Sequence, residues 1–189
     1  MEADVIKDIL KDGESRMQGA LHSLEQDLAT VRTGRASPAL VERLMVMYYE
    51  TPTPLIQLAT ISAPEARTIQ IKPFDPTSIK DIEKAISMSD LGLNPNNDGK
   101  SIHLNLPPLT EDRRRDLVKH VHARLEEARI AVRNIRRDMH NDMRDFEKEK
   151  LISEDDLKRG EEDLQKLTDK FVEDINKHGQ TKEKEIMEV

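Results

Sequence analysis

TEDRRRDLVKHVHARLEEARIAVRNIRRDMHNDMRDFEKEK, residues 110–150, reads as one unbroken helix with no proline or glycine in it. Thr110 stands at its head as an N-cap, and Glu111 and Asp112 fill the first turn, where the helix dipole favours acids. At about 100° per residue, Val118, Val121, Leu125, Ala128, Val132, Ile135 and Met139 share an arc of roughly 100°. That arc is the expected buried seam. Arg115, Arg129, Arg133, Arg136 and Arg137 lie on one flank of it, and Glu127, Asp138, Asp142 and Asp145 on the other. A merely solvated face would interleave its signs, since opposite charges at i and i+4 stabilise a helix by roughly 0.2–0.5 kcal/mol per pair. Segregated signs point instead to a binding surface for an anion. Arginine dominates the basic flank, and its planar fork suits bidentate contact with phosphate.

Outward from this helix, a second start signal follows near Leu151. Ser153 and Asp156 form a variant of the capping box, Ile152 and Leu157 occupy the positions of a hydrophobic staple, and Leu157, Leu164, Leu167, Phe171, Ile175, His178 and Ile186 carry a seam onward. On the N-terminal side, Leu10, Met17, Leu21, Leu24 and Leu28 mark another helix from Ile6 to about Thr30. Three long seams are buried most simply against one another.

Between the first and second helices the texture changes. Gly34 and Pro38 interrupt, and Leu44 to Tyr49, Leu55 to Ile61 and Thr68 to Lys72 read as strands separated by turn chemistry at Thr51-Pro52-Thr53-Pro54 and Ala63-Pro64. Ser78 and Asp81 offer a capping box for a short helix to Ser89, with Ile79, Ile82 and Ile86 inward and Gly92 at the exit. Asp98-Gly99 is a turn, and Ile102, Leu104 and Leu106 alternate in a further strand that Pro107 and Pro108 end. The fold class is therefore α+β, a long three-helix bundle (1–31 and 108–189) with a smaller inserted domain (32–107). The chain crosses between them at 32–35 and 105–108, a natural hinge of Arg32, Thr33, Gly34, Arg35, Pro107 and Pro108. Arg32 and Arg35, with Arg113 and Arg114, extend the basic surface toward that junction.

Composition limits the function. A net charge of −7 over 189 residues makes the chain a poor generic nucleic-acid binder, so any RNA contact must be local. With 3% aromatics and no tryptophan there is little to stack on bases, which leaves shape and phosphate readout. Without cysteine, disulfides, thiolate zinc sites and thiol catalysis are excluded. The charged N-terminus has no apolar signal region, and a cytoplasmic protein with no membrane role is expected. No cofactor, metal or catalytic centre is expected either. His120 and His122 diverge on their helix, His178 reads as an interfacial histidine, and Glu154, Asp155 and Asp156 are helix-start residues. Met45 and Met47 are expected in the core.

Arg32-Thr33-Gly34-Arg35-Ala36-Ser37-Pro38, Tyr48-Tyr49 followed by Thr51-Pro52-Thr53-Pro54-Leu55, Ser89-Asp90-Leu91-Gly92-Leu93-Asn94-Pro95, Leu106-Pro107-Pro108-Leu109-Thr110-Glu111 and Val132-Arg133-Asn134-Ile135-Arg136-Arg137 resemble, in order and end to end, the signatures of bacterial ribosome recycling factor. The resemblance implies an L-shaped molecule of tRNA-like dimensions whose inserted domain is a three-layer β/α/β sandwich. It implies a monomeric, non-enzymatic factor that splits the post-termination 70S ribosome together with elongation factor G and its GTP hydrolysis. It also implies that arginines matching Arg32, Arg114, Arg133, Arg136 and Arg137 face the rRNA of the 50S subunit, while the smaller domain faces the translocase. Glu50 departs from the family, which often has glycine there; if the turn needs positive φ, glutamate costs about 1 kcal/mol or more. Two rival readings are a helical scaffold for acidic protein partners and an enzyme with a site between the domains.

Overall fold

The computed structural model describes the backbone of residues 2–188 and the side chains of residues 5–188, so the expected domain limits at 1 and 189 lie outside the described residues. In chain order the elements are α1 (Glu2–Ala29), β1 (Met45–Tyr48), β2 (Thr51–Pro54), β3 (Ala59–Glu65), β4 (Thr68–Pro73), α2 (Ile79–Met88), β5 (Pro95–Asn97), β6 (Ile102–Asn105), α3 (Glu111–Lys148) and α4 (Glu154–Met187). They fall into two compact units, one of residues 1–28 and 119–183, the other of residues 29–118 and 184–189.

The first unit is the three-helix bundle. Its core is Met17, Leu21 and Leu24 of α1, Val121, Leu125, Val132, Met139 and Met143 of α3, and Leu164, Phe171 and Ile175 of α4, all buried. Each such side chain contributes about 1.5–3 kcal/mol by leaving water, far more than the exposed pairs Arg16–Asp138 and Lys170–Glu14 at the rim. Two buried positions carry no large side chain. A Cβ on Gly179 would lie 2.2 Å from Leu125 Cδ1, and one on Gly160 would lie 3.0 Å from Met143 Sδ. Glycine therefore sets how closely α4 approaches α3.

Between these helices, Leu151 N–H donates to the carbonyl of Phe146 at 2.9 Å and Lys150 N–H to that of Glu147 at 2.9 Å, while Lys150 has φ 58°. This is a Schellman stop with lysine where glycine is usual. Ser153 Oγ then accepts from Asp156 N–H at 3.1 Å and donates to Asp156 Oδ2 at 2.5 Å, as the start signal implied.

In the second unit, β1 and β2 form a two-stranded ribbon, and β3-β4-β6-β5 form an antiparallel sheet. Helix α2 lies against β1 of the ribbon and β5 of the sheet. Val46, Leu55, Ile69, Ile71, Ile82, Ile86, Ile102 and Leu104 share one buried core.

The structure departs from the expected local pattern at five places. Ala63-Pro64 is not a turn but lies inside β3, at the irregularity in its register with β4 between Ser62 and Glu65, and the turn is Ala66-Arg67. Thr51-Pro52-Thr53-Pro54 is strand β2, not a turn. Leu55 N–H bonds the Leu44 carbonyl at 2.9 Å, so by alternation Pro52 and Pro54, opposite Met47 and Met45, take the sites that need no donor. Leu55–Gln57 is a 3-10 turn, and the strand expected from Leu55 begins at Ala59. Met45 and Met47 are exposed at 53% and 54%, because the register turns Val46 inward instead. The short helix is capped one turn earlier than expected: Asp75 accepts from Thr77 N–H at 2.9 Å and Pro76 follows, while Ser78 makes no side-chain cap bond.

The turn at Glu50 is the one expected to be costly. Tyr49 and Glu50 form a two-residue loop between Tyr48 and Thr51 with φ 47° and 61°, both left-handed, as a type I′ hairpin requires.

Candidate nucleic-acid interface

Seen from the bundle, the two flanks of α3 face different neighbours. On the acidic flank, Asp138 accepts from Arg16 of α1 at 2.8 Å, and Arg124 bridges Glu127 to Asp27 of α1. On the basic flank the partners that come from another helix come from α4. Arg129 donates Nε–H and Nη2–H to Asn176 Oδ1 at 3.0 and 2.7 Å, and Arg136 donates Nη1–H to Gln165 Oε1 at 3.1 Å.

Arg133, Arg136 and Arg137 come together. With Asn134 and His140 they line one open recess on the bundle. Arg137 donates to Asn134 Oδ1 at 3.1 Å, and His140 Nε2 lies 2.9 Å from Glu161 of α4. Three guanidiniums around one exposed hollow present several donors to a single anion, and the neutral amide partners of Arg136 and Arg137 leave their charge uncompensated.

The flank is less purely basic than its arithmetic implies. Glu126 falls inside the stripe, about 20° from Arg133 around the helix, and its carboxylate accepts from Arg133 Nη2 at 2.5 Å and from Arg129 Nη1 at 3.2 Å. The hydrogen bond from Arg133, and then that from Arg129, holds this carboxyl below the usual range.

The remaining candidates lie in the second unit and are engaged differently. Arg114 donates Nη1–H to the carbonyls of Ile186 and Glu188 at 2.5 and 2.6 Å, so it caps the C-terminal end of α4. Arg32 donates to the Pro107 carbonyl and so ties the two crossing segments to each other. Burial, and then the neighbouring Arg113 charge, pushes the Arg32 guanidinium below its ordinary pKa, and its Nε has no partner. Arg35 N–H bonds Thr33 Oγ1 at 3.3 Å. A Cβ on Gly34 would lie 3.6 Å from the Glu188 carbonyl, an ordinary contact. The crossings are also stitched to the β3–β4 turn, by Ala36 N–H to Ala66 O at 2.7 Å and Leu106 N–H to Arg67 O at 2.8 Å.

Sequence reasoning missed Glu126, Asn176, Gln165 and His140. Glu126 was legible, since 100° per residue puts it between Arg133 and Arg137 on the basic flank. The α4 partners were not, because they depend on how α4 is rotated against α3.

The chain matches the family model described as ribosome recycling factor over residues 24–187. It is 56% identical over 183 residues to the ribosome-recycling factor of Halalkalibacterium halodurans, covering 97% of this chain and 99% of that one. The corresponding factor of Syntrophomonas wolfei is 57% identical over 185 residues, covering 98% and 100%. The chain belongs to the ribosome recycling factor family.

Solved structures of ribosome recycling factors agree. A solution structure matches with a TM-score of 0.76 at 47% identity, covering 97% of this chain and 98% of that one. The Thermus thermophilus ribosome recycling factor, described with Escherichia coli elongation factor G bound to the post-termination complex, matches with a TM-score of 0.67 at 46% identity, covering 97% and 99%. The span matched by the family model takes in every arginine of the candidate interface. Among the described residues no helix is long and apolar enough to cross a membrane, and no cluster of His, Asp and Glu is arranged to hold a metal ion.

Proposed function

We propose that this chain is a cytoplasmic, non-enzymatic translation factor that acts with elongation factor G on the post-termination ribosome, binding 50S rRNA phosphates through the basic edge of α3. The observation that carries this reading is the recess of Arg133, Arg136 and Arg137 on a chain whose net charge is −7. An acidic protein gains little from RNA except where its cations are gathered, and the free donors of the edge are gathered there. Arg35 and Arg113 supply further cations in the second unit, whereas Arg32 and Arg114 act mainly by holding the crossings and the end of α4 in place. In this reading force from the translocase passes toward the RNA-bound bundle through the crossings at 32–35 and 105–108, which lie within the second unit.

The test is the double charge reversal Arg133→Glu with Arg136→Glu, read as 50S binding and 70S splitting with elongation factor G. Binding should fall by orders of magnitude at moderate salt and splitting with it. Binding unchanged from the parent would refute the assignment of the edge.

A further inference from the structure

We infer that Glu126 is a built-in competitor for the anion taken by the α3 edge, placed to keep the factor's grip on RNA weak enough for release. The inference rests on the reading of that edge as the RNA-binding surface. Its basis is geometric. Residues 126, 129 and 133 fall within about 60° of one another around the helix, and each oxygen of the Glu126 carboxylate takes one arginine. Oε1 accepts from Arg133 at 2.5 Å and Oε2 from Arg129 at 3.2 Å. A phosphate held between two guanidiniums would use the same donors in the same manner.

The two arginines are not equivalent in this arrangement. Arg129 is anchored by its bonds from Nε and Nη2 to Asn176, so only Nη1 is turned to Glu126. Arg133 has no such anchor, and its hydrogen bond is to Glu126 alone among the described residues. Glu126 therefore does two things at once: it draws the free arginine back toward the anchored one and cancels one of their two charges. All three side chains are open to solvent to some degree, at 50% for Glu126, 28% for Arg129 and 55% for Arg133, so an incoming phosphate can reach the pair and displace the carboxylate.

A competitor and a simple positioning group predict opposite results. Glu126→Gln keeps the size of the side chain and an oxygen that can accept from Arg133, but removes the charge. If Glu126 competes, the variant binds 50S subunits about two- to fivefold more tightly, and its log–log salt slope steepens by about one unit. Recycling over many rounds then slows, because the factor leaves more slowly. The measurement is equilibrium binding of the full-length chain to 50S subunits across a salt series, with Glu126→Ala as a second variant and thermal melting to establish that both fold. Binding that is unchanged or weaker in Glu126→Gln, with an unaltered salt slope, overturns the inference. The Arg133→Glu, Arg136→Glu double variant separates the two levels. If it loses binding while Glu126→Gln fails to gain, only the role of Glu126 falls; if it keeps binding, the edge itself is misassigned.

Discussion

Arg114 donates its guanidinium to the main-chain carbonyl of Ile186 at 2.5 Å, and to that of Glu188 at 2.6 Å, so an arginine from the first turn of α3 closes the last turn of α4. Those carbonyls have no later residues of the helix to bond them, and a cation is the natural partner at the negative end of the dipole. Arg114→Ala should cost about 1 kcal/mol of stability in urea. It should also raise amide exchange over residues 184–188. If exchange there stays at the level of the parent protein, Arg114 is not the cap.

The hairpin at Tyr49-Glu50 places glutamate at φ 61°. Left-handed backbone costs a residue with a Cβ about 1 kcal/mol relative to glycine, partly offset by the greater freedom of glycine in the unfolded chain. Glu50→Gly should therefore raise stability by about 0.5 kcal/mol. The same substitution at Lys150, φ 58° in the Schellman stop, should act in the same direction. A fall in the urea midpoint for both would contradict the left-handed assignment.

Two bundle glycines should respond oppositely to alanine. Nothing lies within 4 Å of a Cβ on Gly19, so Gly19→Ala gains helix propensity of about 1 kcal/mol. At Gly179 the new methyl meets Leu125 Cδ1 at 2.2 Å, and displacing a buried leucine costs about 1–3 kcal/mol. Gly179→Ala should thus melt below the parent protein, and Gly19→Ala above it. Equal shifts would mean that α3 and α4 do not meet so closely.

Asp98 should titrate far into acid. Backbone N–H groups of Lys100 and Ser101 donate to its Oδ1 at 2.9 and 2.7 Å, His103 Nε2 lies 3.1 Å from its Oδ2, and together they lower its pKa to about 2. The folded value lies below the unfolded one, so the turn's contribution is complete above about pH 4. It is lost as the pH falls toward 2. Carboxylate shifts followed by NMR should place the Asp98 midpoint near 2, and Asp98→Asn should flatten the acid limb of the stability curve. A midpoint near 4 would show that the turn does not hold the carboxylate.

The helices were largely readable from the sequence, while much of the β region was not. In α1, α3 and α4 a 3.6-residue period over nine turns or so leaves one consistent apolar arc, and local error averages out. Strands of three or four residues offer no such averaging. β5 is Pro95-Asn96-Asn97, which has no strand propensity and exists because β6 pairs with it. β2 is half proline and survives because its hydrogen bonds to β1 fall on the non-proline positions, while Pro52 and Pro54 face Met47 and Met45 at sites that need no donor. The burial of Val46 rather than Met45 or Met47 depends on the face of the ribbon that α2 and the sheet cover.

The candidate interface divides in the same manner. That arginines gather on one flank of α3 follows from covalent spacing and helix pitch, and the family resemblance was carried by residues contiguous in the chain. What each arginine does follows from neighbours distant in sequence. Asn176 anchors Arg129, the end of α4 engages Arg114, and Pro107 engages Arg32, while Arg133, Arg136 and Arg137 are left around an open recess. Helix pitch acts within a few residues and is written in the order of the chain. Which helix lies alongside, and at what rotation, is decided by the burial of whole seams, so only the tertiary structure determines which charges remain free to bind.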